Sequence, residues 1–81
     1  MTVMGATLQA MQEVLGLEEM DKHLDLLLWE SGLVDSLSFV TLIARIEELI
    51  SVKINLKDMK TNDFKCIRSI VDAISDKTGK N

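Results

Sequence analysis

Few side chains in this sequence could do chemistry, and most of those lack the neighbours they would need. There is one cysteine, Cys66, and one histidine, His23. One thiol and one imidazole do not make a structural zinc site. The acids Glu18, Glu19, Asp21 and Asp25 lack the glycine and the spacing of a calcium loop. No phosphate-binding glycine loop or dinucleotide fingerprint occurs. A single cysteine forms no internal disulfide, which points to a reducing compartment, and Cys66 reads as a small buried hydrophobe. What remains is a hydroxyl, Ser36, in the run Gly32-Leu33-Val34-Asp35-Ser36-Leu37. Serine is a weak nucleophile without a base. A triad of Ser36, His23 and one of Asp21, Asp25 or Asp35 can be drawn, which would make a minimal serine hydrolase. Nothing supplies a nucleophile elbow or an oxyanion hole for it, and so short a chain leaves little room for a substrate pocket. His23 reads as an exposed loop residue, and Ser36 as an acceptor that another enzyme modifies.

Such a hydroxyl has to be held out on a fixed element. Asp35 is a good N-cap, because its carboxylate accepts a bond from an orphan N–H of the first turn. With Asp35 as cap, Ser36 is the first helical residue, and Val34 and Phe39 take the positions of a hydrophobic staple. A phosphate on Ser36 would then lie at the positive end of the helix dipole.

The elements follow from periodicity. Residues 3–15 read as a helix with Met4, Leu8, Met11 and Leu15 on one face, an alternative start near Ala6, and Gly16 as its stop. Residues 17–35 read as a long acidic loop whose Leu24, Leu26, Leu28 and Trp29 need burial and pin it across the bundle. Trp29 is expected in the core, the other reading being a half-exposed position near Ser36. Residues 36–50 form the clearest helix. Phe39, Leu42, Ile43, Ile46, Leu49 and Ile50 share a core arc, while Ser38, Thr41, Arg45 and Glu48 are solvated. Leu37, Val40 and Ala44 fall outside the core arc, near Ser36 and Glu47, as a small apolar patch suited to docking. Residues 51–62 read as an extended link with a helical turn near 56–60; the alternation from Val52 to Leu56 would allow a strand, but nothing is there to pair with it. Asn62 or Asp63 caps a last helix over 63–77, with Phe64, Ile67, Ile70, Val71 and Ile74 inward. Residues 78–81 are expected to fray. The fold class is therefore all-α: three main helices plus a short one, with a long first loop, in a single domain over 1–81.

The 81 residues are 47% apolar and 27% charged, which describes a globular rather than a disordered chain. A net charge of −4 argues against nucleic-acid binding. The charge is uneven: residues 1–50 hold nine acids and two bases, residues 51–81 four acids and seven bases. Partners of the first half should therefore tend to be basic. No signal peptide is apparent, and Leu26 to Trp29 is far too short an apolar run to span a bilayer. The expectation is a cytoplasmic monomer.

Asp35-Ser36-Leu37 in the middle of the chain, followed by an apolar-periodic helix ending in Glu47-Glu48, resembles the acyl and aminoacyl carrier proteins. The resemblance runs from about Met4 to Lys77. It implies an acyl-carrier-like bundle without catalytic activity. It also implies 4′-phosphopantetheine, taken from coenzyme A and attached covalently to Ser36 with Asp35 as motif partner, whose thiol holds acyl or aminoacyl groups as thioesters. Implied partners are a phosphopantetheinyl transferase, adenylating, ligase or acyltransferase loading enzymes, and downstream biosynthetic enzymes. They would dock on Leu37, Val40, Thr41, Ala44, Glu47 and Glu48. Two features depart from the fatty-acid pattern. Ser38, Thr41 and Arg45 stand where acids are usual, and Gly32 lies four residues before the serine rather than three. That spacing is similar to D-alanyl carriers of teichoic acid synthesis and to stand-alone aminoacyl or peptidyl carriers. A helical adaptor that never carries an arm is the reading from another class.

Overall fold

The computed structural model describes residues 1–81. It is all-α, with no strand: α1 spans Val3–Leu15, α2 Ser36–Ile50 and α3 Ile67–Thr78, and single 3-10 turns lie at Met20–Lys22, Leu56–Asp58 and Thr61–Phe64. No helix is long and apolar enough to cross a membrane.

α1 begins where Thr2 caps it, its hydroxyl accepting from the Gly5 N–H at 3.0 Å. The helix ends at Gly16, which takes the left-handed conformation that a glycine stop requires (φ 68°). Its fully buried residues are Val3, Ala6, Thr7, Ala10 and Met11, whereas Met4, Leu8 and Leu15 are only half-buried. The expected stripe of large residues is thus displaced toward a small-residue face. Alanines let the α1 and α2 backbones approach, so the larger side chains are left to fill the margins of the contact. Buried Thr7 is satisfied within α1, donating to the Val3 carbonyl at 2.8 Å.

The core is one apolar cluster. α2 contributes Phe39, Leu42, Ile43, Ile46 and Ile50; α3 contributes Ile67, Ile70 and Ile74. Leu49, expected with them, is half-buried. Leu28 from the long loop is fully buried. That loop is pinned to the start of α3 by its backbone. The Leu28 N–H donates to the Lys65 carbonyl at 2.9 Å, and the Arg68 N–H to the Leu24 carbonyl at 3.0 Å. The Arg68 guanidinium also pairs with Asp25 at 2.8 Å and holds that carboxyl below its usual range.

Three expectations need correction. Leu26 is exposed rather than buried, and Trp29 is at the surface, 37% exposed, rather than in the core. Leu28 alone supplies the loop's deep anchor, and the Trp29 ring lies against that of Phe39 instead, tilted by 51°. The last helix starts at Ile67, not at residue 63. Asp63 is engaged one turn earlier, accepting from the Lys60 N–H at 2.8 Å. Cys66 is extended (φ −151°, ψ 171°), and the Ser69 hydroxyl accepts its N–H and donates to its carbonyl. Residue 66 therefore caps α3, and Phe64 sits in the preceding turn. Gly79 closes α3 in the left-handed conformation, and the Val3 N–H donates to the Asn81 carbonyl at 2.8 Å.

Candidate functional site

Ser36 opens α2 where the capping argument places it. Asp35 is extended (φ −118°, ψ −179°), and its carboxylate accepts from the Ser38 N–H at 2.8 Å. Val34 and Phe39, the staple pair, are both buried, 4% and 5% exposed. A polar cap and an apolar clasp thus fix the angle at which the loop enters α2. Ser36 itself is exposed, and its hydroxyl makes no hydrogen bond within the chain. Its side chain is free to be modified while its backbone is held.

The turn before it depends on Gly32. Gly32 has φ +82°, with open space around its missing Cβ, so the constraint is the backbone conformation itself. Its N–H donates to the Trp29 carbonyl at 3.1 Å, and the Val34 N–H to the Leu28 carbonyl at 3.2 Å. These bonds tie the approach to Ser36 onto the buried anchor Leu28. Gly32→Ala should cost about 1–2 kcal/mol through left-handed backbone strain. A thermal melt superimposable on wild type would show that the turn relaxes at no cost.

Hydrogen bonding from Ser38 stabilises the Asp35 carboxylate and lowers its pKa below the ordinary aspartate value of 3.8. A lowered folded-state pKa contributes stability above the unfolded-state value, and that contribution is lost as pH falls through the folded-state pKa. Asp35→Ala should therefore melt earlier than wild type at neutral pH and lose less stability on acidification below about pH 4. Parallel pH–Tm curves for the two chains would contradict this.

Leu37 and Val40 are open to solvent, 79% and 53% exposed, and Thr41 and Ala44 are exposed beside them. They follow the helical repeat away from Ser36, so the expected apolar patch is present. The charges expected around it are used differently. Glu47 is half-buried, and its carboxylate accepts from the Ile54 N–H at 2.6 Å, fastening the link after α2 to the helix. Arg45, read as solvated, forks onto Glu13 of α1 at 2.7 and 3.2 Å and lies 3.6 Å from Glu48. The first pair lowers the Glu13 pKa and raises that of Arg45. Of the two glutamates only Glu48 is exposed. Neither long-range pairing is marked in the sequence, because Glu13 and Arg45 are 32 positions apart and Glu47 has no local partner.

His23 ends the first 3-10 turn beside Asp21, Asp25 and Arg68, and no hydrogen bond joins it to Ser36. Sequence reading also missed an aromatic row. The rings of Trp29 and Phe39 lie 5.4 Å apart and those of Phe39 and Phe64 4.6 Å apart, tilted by 51° and 53°. The row runs from the loop across the first turn of α2 to the segment before α3. Its members are 10 and 25 residues apart, beyond any local periodicity.

A phosphodiester on Ser36 suits this geometry. The oxygen that would bear it is exposed, the first-turn N–H groups and helix dipole favour an anion there, and no core side chain has to move. A sequence family described as "phosphopantetheine attachment site" matches residues 6–74. No curated protein matches the chain.

Proposed function

The chain belongs to the phosphopantetheine-attachment family, and from that premise we propose that Ser36 bears the arm and that the exposed side of α2 receives the partner enzymes. Proteins of this kind are carriers rather than enzymes, and this one is a carrier whose 4′-phosphopantetheine holds biosynthetic intermediates as thioesters. The observation that supports Ser36 is its free, exposed hydroxyl on the first residue of α2, held by the Asp35 cap. In arm attachment a bond forms from Ser36 Oγ to phosphorus as the pyrophosphate of coenzyme A breaks. Adenosine 3′,5′-bisphosphate leaves, and the serine proton passes to a base on the transferase. This chain contributes position, not the base. The arm, once bound, supplies the reactive thiol. Residues 1–81 serve as one carrier domain, consistent with a single apolar cluster drawn from all three helices.

The cargo is an acyl or aminoacyl group of a specialised pathway, loaded by an adenylating enzyme, ligase or acyltransferase. D-alanine carriage is the second reading, favoured by the Gly32-Leu33-Val34-Asp35-Ser36 spacing. Incubation with coenzyme A and a promiscuous phosphopantetheinyl transferase, read by intact mass, tests the carrier assignment against an unmodified helical adaptor.

Docking would centre on Leu37, Val40, Thr41 and Ala44, with Glu48 steering a basic partner surface and Glu47 shaping the edge from within. Val40→Asp places a charge in the apolar contact at a position already open to water. It should fold normally and slow arm transfer by about tenfold, equivalent to ~1.4 kcal/mol. Glu48→Lys should slow it mainly at low salt, since exposed charges are screened. A folded Val40→Asp chain modified at the wild-type rate would place docking elsewhere.

A further inference from the structure

The half-buried apolar residues of α1 do not all close onto the core. Leu8, Gln9 and Gln12 on its outer side form one wall of an open groove of about 540 Å³, and Leu17, Glu18 and Asp21 of the following segment belong to the other. The Gln12 amide donates to the Glu18 carboxylate from wall to wall at 3.5 Å. Backbone bonds hold the second wall in place. The Leu17 N–H donates to the Met11 carbonyl at 3.3 Å, and Met20, 6% exposed, anchors a turn closed by the His23 N–H on its carbonyl at 3.0 Å. The charge of the groove is one-sided. Residues 1–21 contain four acids and no base. The last turn of α1, where a cation favours the negative end of the helix dipole, holds none. Lys22 is the first base, and it is taken by Glu19 at 3.0 Å, while Glu18 and Asp21 form no ion pair. The groove shares no residue with the exposed patch of α2. Its Leu8 lies roughly 140° around α1 from Glu13, the residue bound to Arg45 of α2.

The geometry points to a second docking site on α1, which receives a basic amphipathic helix of a partner protein. Apolar side chains of that helix enter between Leu8 and Leu17. Lysines or arginines beside them meet Glu18, Asp21 and the carbonyl end of α1, and supply the cation that the chain itself lacks there. At about 30 Å³ per water-sized group the groove takes roughly eighteen heavy atoms, or about four leucine side chains. That is the apolar face of about two helical turns. A partner seated here leaves Ser36 and the exposed side of α2 open. The carrier stays tethered to one protein while its arm visits another, and the tether raises the effective concentration of the arm for enzymes bound to the same partner. This tethering role rests on the carrier reading; the groove itself does not.

The probe is a synthetic peptide of leucine and lysine, roughly five helical turns long, with its leucines on one face. It is titrated into the isotope-labelled, unmodified chain and followed by amide NMR. The amides of Leu8, Gln12 and residues 17–21 should shift, and those of Leu37, Val40 and Ala44 should not. A peptide of the same composition in scrambled order should bind about tenfold more weakly. Glu18→Lys combined with Asp21→Lys alters only exposed side chains, and should weaken binding by about tenfold with the melt unchanged. Gln12→Lys, on the helix wall, should weaken it as well. Arm transfer to Ser36, read by intact mass, should run at the same rate with saturating peptide as without it. Absence of any shift, shifts centred on α2, equal binding of the scrambled peptide, or unchanged affinity in both variants would overturn the groove as a docking site. Shifts of the same amides on concentrating the chain alone would make it a contact between copies instead, and the same shifts with spermidine alone would make it a site for small cations; either overturns the proposal. Slower transfer with peptide bound would overturn the tethering role. Absence of any mass gain would overturn arm attachment at Ser36, while the amide shifts would still decide the groove.

Discussion

Ser36→Ala should gain no mass when incubated with coenzyme A and phosphopantetheinyl transferase, while wild type gains the phosphopantetheine mass and the two chains melt together. The two halves of this expectation rest on different physics. Loss of modification follows from loss of the only atom that can form the phosphodiester at this position. Preservation of the fold follows from where the structure spends its interactions. The cap is the Asp35 carboxylate on the Ser38 N–H, the staple is Val34 with Phe39, and the Ser36 hydroxyl holds nothing. Alanine is also the best helix former, so the first turn tolerates it. Other serines are present, Ser31 and Ser38 close by, and the result discriminates among them. Ser31 already donates to the Leu28 carbonyl at 3.2 Å, and Ser38 is half-buried. A full mass gain on Ser36→Ala would move the site to one of these or further away.

The largest effect on stability should come from Ile46→Ala. Ile46 is fully buried in the middle of α2, among Leu42, Ile43, Ile67 and Ile70 of the same cluster. Truncating such a side chain removes its transfer free energy and leaves a cavity the neighbours only partly close, at about 2–5 kcal/mol. Domains of this size hold only about 5–15 kcal/mol in total, and the smallest sit at the low end. Each kcal/mol moves the midpoint by about 4–8 °C in a chain of this length. A fall of at least ~8 °C is therefore expected, with arm attachment retained below the new midpoint because Ser36 is held by its own cap. Val40→Asp, on the exposed side of the same helix, should leave the midpoint in place. Equal melting of Ile46→Ala and wild type would mean that α2 is rotated relative to the core.

How far these features could be read beforehand depended on the distance over which each is decided. The start of α2 was legible because Asp35, Ser36, Ser38 and the staple residues lie within six positions, and their hydrogen bonds form whatever the rest of the chain does. The inward face of α2 was legible for the same reason: a 3.6-residue period is a property of one helix, and Phe39, Leu42, Ile43, Ile46 and Ile50 are all buried along it. The stop at Gly16 and the exposed patch at Leu37, Val40 and Ala44 belong with these. From such local signals the sequence by itself determined an all-α fold and an exposed serine at a capped helix start.

The tertiary structure decided matters that depend on which surfaces meet. α1 turns its alanines inward because α2 lies close, whereas periodicity alone pointed to the face of Met4, Leu8 and Leu15. The start of α3 moved to Ile67 because Asp63 is already engaged with Lys60 and Ser69 closes on Cys66, a competition between two nearby caps. Trp29 lies at the surface because Leu28 takes the buried place, and its ring rests beside that of Phe39. Glu13–Arg45, Glu47–Ile54 and the aromatic row exist only once segments distant in sequence are docked. A side chain's own neighbours set its helix, cap or turn through bonds a few residues long. Its partner across the bundle is set by packing among elements, and that information resides in no single stretch of the chain.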